Sequence, residues 1–499
     1  MKKFTKRILY FIAALGLLYL VLLIPDSKEK NFTVETGKKP FAWNRDAQWK
    51  EMETSFRDTR QGAKELQDST ITLQKEMAET LFKLVQNRNA TAEILHGTTE
   101  RDSVWNNIED NFFRLASRVA GRQDQIPWMI EYYNRVRNLV KEESQHWNMS
   151  VPASRDKVYM LLYGLRAAVE EVLLQADSLH FSAAMLVKDE KSYTPAASIF
   201  GIEVHSGDLL VSRGGAEVSA LISRGNDYPG NFSHIALIYV DEKTKEPFLI
   251  EAHIEKGVAV ASVAQYENDK KLRFMVMRPR FDLPMLQADS MLPQKAAKRM
   301  FDEAGKRHIP YDFKMNFNDT TEMFCSEVAS YAYRTKGLQV WKYPSTISSQ
   351  GVVNWLHSFG VENFITQMPS DLEYDPQLAV VAEWRDPETL YKDHIDNAAM
   401  DALLEKANKG ETIDYNIWKL PIARILKGYC MIKNRFGKIG LIPEGMSATQ
   451  ALKNETFVAM HVRVKNKTMQ MADEFFKKNG YRPPYWQLVK FADAAANEK

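Results

Sequence analysis

At 499 residues the chain is too long for one ordinary core, and roughly two to four domains is the expectation. An apolar fraction of 45% and a charged fraction of 26% exclude extended disorder, and a formal net charge of +2 excludes a dominant nucleic-acid partner. With only two cysteines the chain has no disulfide framework.

The first element is apolar. Lys2, Lys3, Lys6 and Arg7 precede an unbroken apolar run over 8–24. Those seventeen residues rise about 25 Å as a helix, at the low end of a bilayer span. No small residues close the run where a cleaved signal needs them, so residues 1–30 read as an uncleaved membrane anchor. The basic end stays inside, which sends everything after Ile24 across.

Helical periodicity follows. Trp49, Met52, Phe56, Thr59, Ala63, Leu66, Thr70, Leu73, Met77, Thr80 and Leu84 recur at alternating spacings of three and four, a heptad seam weakened by its threonines. Trp105, Ile108, Phe112, Leu115 and Val119 predict a second helix, and the segments 130–140 and 158–174 two more, with Pro127 and Pro152 at their starts. Residues 40–190 are expected to form a helical bundle.

From about residue 196 the apolar runs shorten and turn signals appear at Gly214-Gly215, Gly225-Asn226-Asp227 and Tyr228-Pro229-Gly230. Strands are expected over 208–211, 234–240, 248–253, 258–263, 274–278 and 378–384, with helices over 292–304 and from Cys325 to about Thr335. Strands and helices in separate runs indicate an α+β domain over 196–386. Residues 387–499 return to a mainly helical pattern.

Three residues stand out chemically. Cys325 follows a cap-rich stretch, Asn318-Asp319-Thr320-Thr321-Glu322, which places it in the first turn of a helix. The positive end of that helix and a nearby imidazole both favour a thiolate. Packing as a small hydrophobe is the plainer role for a lone cysteine, and it is the one assigned to Cys430. His234 lies in a strand apolar on both faces and needs a partner there. Alternation puts Leu249, Glu251 and His253 of the next strand on one face, so Glu251 or His253 is positioned to orient His234. Arg213 and Arg224 are weaker candidates for an acidic substrate group. No metal-ligand spacing and no nucleotide-binding pattern appears, so neither metal nor cofactor is expected.

Taken in order, Gly207-Asp208-Leu209-Leu210, Phe232-Ser233-His234-Ile235-Ala236-Leu237-Ile238-Tyr239, Leu249-Ile250-Glu251-Ala252 with Gly257-Val258, Tyr311-Asp312-Phe313 and Phe324-Cys325-Ser326-Glu327 resemble one family. It is the permuted papain-like cysteine hydrolases of the YiiX/YaeF (YebB-like) type, within the NlpC-like superfamily. The resemblance covers 196–386, under half the chain. It implies a circularly permuted papain-like fold with an antiparallel sheet and a nucleophile-bearing helix. The histidine, the polar third residue and the cysteine would then come in the order His234, Glu251, Cys325. It also implies a Cys-His-Glu hydrolase or acyltransferase cleaving an amide or ester through a thioester on Cys325.

Asn231-Phe232-Ser233 and Asn318-Asp319-Thr320 are glycosylation sequons beside the proposed site, where glycans would obstruct it. A bacterial envelope protein is therefore expected, single-pass in the inner (cytoplasmic) membrane with its catalytic part periplasmic. Its substrate would be a peptidoglycan peptide or a lipid-type amide or ester. The alternative is a catalytically inactive envelope ligand-binding or scaffold protein of the same fold.

Overall fold

Two side-chain periods, near 3.6 in the flanking regions and 2 in the middle, build the molecule. The computed structural model describes residues 2–25, 54, 64–88, 99–120, 122–175, 184–269 and 271–498. Helix α1 (Lys2–Leu22) takes in the four basic residues and stops at Leu22. Its uncharged part, 8–22, is fifteen residues, about 22 Å of helix against a hydrocarbon core of about 30 Å. Among the described residues no helix is long and apolar enough to cross a membrane.

The heptad seam upstream of residue 64 lies outside the described residues. Within α2 (Lys64–Arg88) the buried row is Thr70, Leu73, Met77 and Leu81. The row slips from the expected Thr80 to Leu81, as an α-helix of 3.6 residues per turn does when no partner forces a 3.5 repeat. Helix α3 (Thr99–Ala120) buries all five of its predicted positions. Helices α4 (Ile126–Glu143) and α5 (Pro152–Leu174) each carry their proline in the first turn, where its missing N–H costs nothing.

The middle of the chain forms a seven-stranded antiparallel sheet from β1 (Ala184–Leu186), β2 (Leu209–Gly214), β3 (His234–Val240), β4 (Pro247–His253), β5 (Gly257–Ser262), β6 (Lys271–Pro279) and β7 (Leu378–Trp384). The strand order is β1-β7-β6-β2-β3-β4-β5. Alternation splits its side chains cleanly. Val211, Ile235, Leu237, Ile250 and Met275 face one core, which holds α6 (Leu292–Lys306) and α7 (Cys325–Arg334) and continues into the helical half. Leu210, Ala236, Ile238, Leu249 and Phe274 face a second core, closed by a hairpin bearing Ile199, Ile202 and Val204. An antiparallel sheet with helices in separate runs is the α+β class expected.

The C-terminal part is helical: α8 (Pro387–Asn408), α9 (Leu420–Arg435), α10 (Ala448–Asn479) and α11 (Tyr485–Asn497). Helix α8 packs on α5 and β6, whereas α9 packs on α10 and touches α1.

Candidate active site

The pairing of β3 with β4 runs from Val240 opposite Pro247 to Leu237 opposite Ile250. Beyond it, 234 and 235 stay paired with β2, while the backbone of Ser233 and Ile235 meets the start of α7. The Cys325 thiol donates to the carbonyl oxygen of Ser233 at 3.8 Å, and the Ile235 N–H donates to the sulfur. Cys325 opens α7 after Phe324, which has no capping side chain, so the first-turn N–H groups stay directed at this spot.

His234 begins β3 and Glu251 sits in β4, close enough for His234 Nε2 to donate to Glu251 Oε2 at 2.6 Å. His253, two residues along on the same face, reaches the other carboxylate oxygen at 3.0 Å, and the two imidazoles are 5.5 Å apart. Nε2 of His234 is taken by Glu251, and Nδ1 is the ring nitrogen that remains. The structure thus joins His234 to Glu251 and sets Cys325 against the residue before His234.

The charges follow from burial. Glu251 loses solvation, but hydrogen bonds from His234 and His253 outweigh that and hold its carboxyl well below the usual range. Burial lowers the His234 pKa, against the opposing pull of Glu251. For Cys325 burial wins outright and pushes the thiol up to about 11, although the N–H groups of Ile235 and Ser326 act the other way. Glu327, two residues on, is buried with both carboxyl oxygens lacking hydrogen-bond partners, and burial pushes it up to about 9. It is therefore uncharged at neutral pH.

His234, His253, Tyr311 and Cys325 line one cavity of about 770 Å³. Much of its wall is apolar, with Leu221, Phe313, Ile347, Phe359 and Met446 among the residues contributing. Two residues gained roles that sequence reasoning did not assign. His253 engages Glu251 as a second imidazole rather than as an alternative to it. Tyr311, half-buried beside Cys325, keeps its proton because desolvation raises its pKa. Both lay in segments singled out above, so position was legible where role was not.

Arg213 and Arg224 are neither solvated nor aimed at a substrate. Arg213 pairs with Asp393 at 3.2 Å and with Asp396, and Arg224 pairs with Asp401 at 2.7 Å. Asp208 opens β2 as a structural anion, accepting two hydrogen bonds from Arg278 at 2.8 Å.

Comparison with curated proteins and with solved structures gives no match. A family model does match, over residues 203–382, and its description is a permuted papain-like amidase enzyme, YaeF/YiiX, C92 family. The strands carrying His234 and Glu251 and the helix opened by Cys325 all fall inside that segment, so the part of this chain that is similar to the permuted papain-like amidases is the part that carries the site.

Proposed function

We propose that the chain is a cysteine hydrolase or acyltransferase that opens an amide or ester bond through a thioester on Cys325. The observation carrying this is the Glu251 carboxylate held between two imidazoles, one of which belongs to the residue between Ser233 and Ile235, whose backbone groups hold the Cys325 sulfur. His234 Nδ1 takes the thiol proton as sulfur attacks the carbonyl carbon. The carbonyl π electrons move to oxygen, which the Cys325 N–H stabilises at the helix start. The C–N or C–O bond then breaks, and the leaving group takes the proton back from His234. A water or alcohol, deprotonated by His234, attacks the thioester carbon; the C–S bond breaks and the Cys325 sulfur takes that proton back from His234. Glu251 keeps the imidazole oriented and balances its charge when protonated.

The same reading places the chain in the cytoplasmic membrane through α1, basic end inside, with the amidase domain on the outer side. Its fifteen uncharged residues fit a bilayer locally thinned around them. A cell-envelope amide or ester, on a peptidoglycan peptide or a lipid, is then the substrate within reach.

The test is turnover of muropeptides and of acyl amides and esters by the wild type and Cys325→Ser, with intact-mass detection of the acyl adduct. An adduct on Cys325 and a loss of at least about 10³-fold in the variant are expected. Turnover unchanged in Cys325→Ser would remove the thiol from the chemistry.

A further inference from the structure

Helix α9 is amphipathic with the wrong face open. Leu420, Pro421, Ala423 and Cys430 are buried, yet the opposite side is no more polar. Trp418, Ile422, Ile425, Tyr429, Ile432 and Phe436 recur at spacings of four and three, and each is between 59% and 75% exposed. A helix in water puts its polar residues on that side. Six large apolar side chains in one row form a patch that soluble chains cover.

Three further observations identify what covers it. The first is charge: between Tyr415 and Pro443 there is no acidic residue, while Lys419, Arg424, Lys427, Lys433, Arg435 and Lys438 all fall there. That density of positive charge, in a chain whose net charge is only +2, complements an anionic surface. The second is continuity with the apolar N-terminal helix. Tyr19 donates to the Trp418 carbonyl at 2.9 Å, and Arg424 donates to the carbonyls of Leu22 and Ile24 at 2.8 Å. These contacts involve the C-terminal end of α1, the end that emerges from the bilayer on the reading above. The third is the cavity. Leu441, 84% exposed just beyond α9, lines the same cavity as Cys325, together with Pro443 and Met446. The open apolar surface therefore runs into the rim of the site.

We propose that α9 and the segment through Leu441 lie in the headgroup–acyl boundary of an anionic bilayer beside α1, seating the mouth of the Cys325 cavity there so that the acyl group of a membrane lipid enters along the apolar wall. The lipid-substrate clause rests on the thiol-hydrolase reading; the seating of α9 does not. Of the two envelope substrates, the lipid is the one that this mouth serves.

Both native cysteines are buried, so single exposed positions accept a fluorophore. The full-length protein carries an environment-sensitive dye at Ile425→Cys or Ile432→Cys, with Glu405→Cys on α8 as the reference. Each is reconstituted into phosphatidylcholine vesicles with and without phosphatidylglycerol. Blue-shifted emission at 425 and 432, quenched by lipids nitroxide-labelled in the acyl chain and stronger with phosphatidylglycerol, is expected; the reference stays water-like. Emission at 425 and 432 matching the reference, with the protein still on the vesicles through α1, overturns the proposal. A shift that follows protein concentration instead of lipid assigns the stripe to a second copy and also overturns it. The readout needs no turnover, so it stands apart from the fate of the thiol mechanism. Ile425→Glu/Ile432→Glu then addresses the substrate clause. Hydrolysis of a vesicle-embedded acyl amide or ester should fall at least tenfold, with Cys325 alkylation by a small soluble reagent unchanged. Equal hydrolysis in that variant means the lipid does not enter by this route.

Discussion

At the scale of single residues the site holds Cys325, the proposed nucleophile, as a thiol. A helix N-terminus ordinarily favours a thiolate, but the field of one helix end is worth about a kcal/mol and the desolvation of a buried sulfur is worth more. With the thiol pushed up to about 11 and the His234 imidazole below its usual value, both are neutral at pH 7. Proton transfer then accompanies attack, and no resting ion pair precedes it. The sign follows directly. His234 accepts a proton only when neutral, and its lowered pKa puts the acid limb of activity below about pH 6.5, with a flat profile above. Iodoacetamide instead samples the preformed thiolate, so alkylation of Cys325 should climb about tenfold per pH unit between pH 7 and 10. Mass spectrometry of the modified peptide measures this, and a plateau already reached below pH 8 contradicts it.

At the scale of elements, one backbone contact positions Cys325. Gly257 has φ +71° at the start of β5, and a Cβ there would lie 2.1 Å from the Ile309 carbonyl oxygen. That closeness lets the Val258 N–H donate to Ile309 O at 2.9 Å, and Met323 N–H in turn donates to Pro310 O at 3.0 Å, one residue before the N-cap of α7. Gly257→Ala should therefore cost about 1–3 kcal/mol in urea unfolding and lower activity further by shifting α7. Gly410→Ala, at φ +94° with nothing within 4 Å, is the control: it bears the backbone strain alone and should leave activity intact. Equal effects of the two substitutions would mean the β5 contact does not position the site. The strands at 234–240 and 378–384 were legible to the residue because their apolar runs end at clear turn signals. The hairpin over 196–205 was not. Its turn places Phe200 at φ +50° before Gly201, a left-handed position that sequence signals assign to asparagine or glycine. His234, Glu251 and Cys325 stood out as polar groups in apolar or helix-start contexts, whereas the structural pairing of Arg213 and Arg224 was hidden, because their carboxylate partners lie 183 and 177 residues away.

At the scale of the whole molecule, buried ion pairs run through the helical half, the sheet and the C-terminal helices. Glu170 of α5 accepts from Arg273 of β6 at 3.1 Å and lies 3.0 Å from His394 of α8. Asp393 of α8 pairs with both Arg273, at 2.5 Å, and Arg213 of β2, and Lys465 of α10 reaches Asp396 at 2.7 Å. Arg166 of α5 donates to Asn231 Oδ1 at 2.9 Å, three residues before His234. The flanking helices thus supply the countercharges of a sheet that cannot solvate its own arginines, and they brace the loop leading to His234. Removing one member of such a set leaves a charge buried and unpaired, at about 3–5 kcal/mol, whereas an exposed pair is worth under about 1 kcal/mol. Asp393→Asn in the full chain should accordingly lower the urea midpoint far more than Lys298→Ala, which breaks only the exposed pair with Asp302 at 2.8 Å. By the same reasoning residues 196–386 alone should fail to give a cooperative unfolding transition, since Arg213 and Arg273 would lose Glu170, Asp393 and Asp396 together. A soluble, cooperatively folding 196–386 fragment that still alkylates at Cys325 would mean that water or local rearrangement satisfies those arginines, and the flanking helices would then owe their presence to the membrane surface and not to the fold.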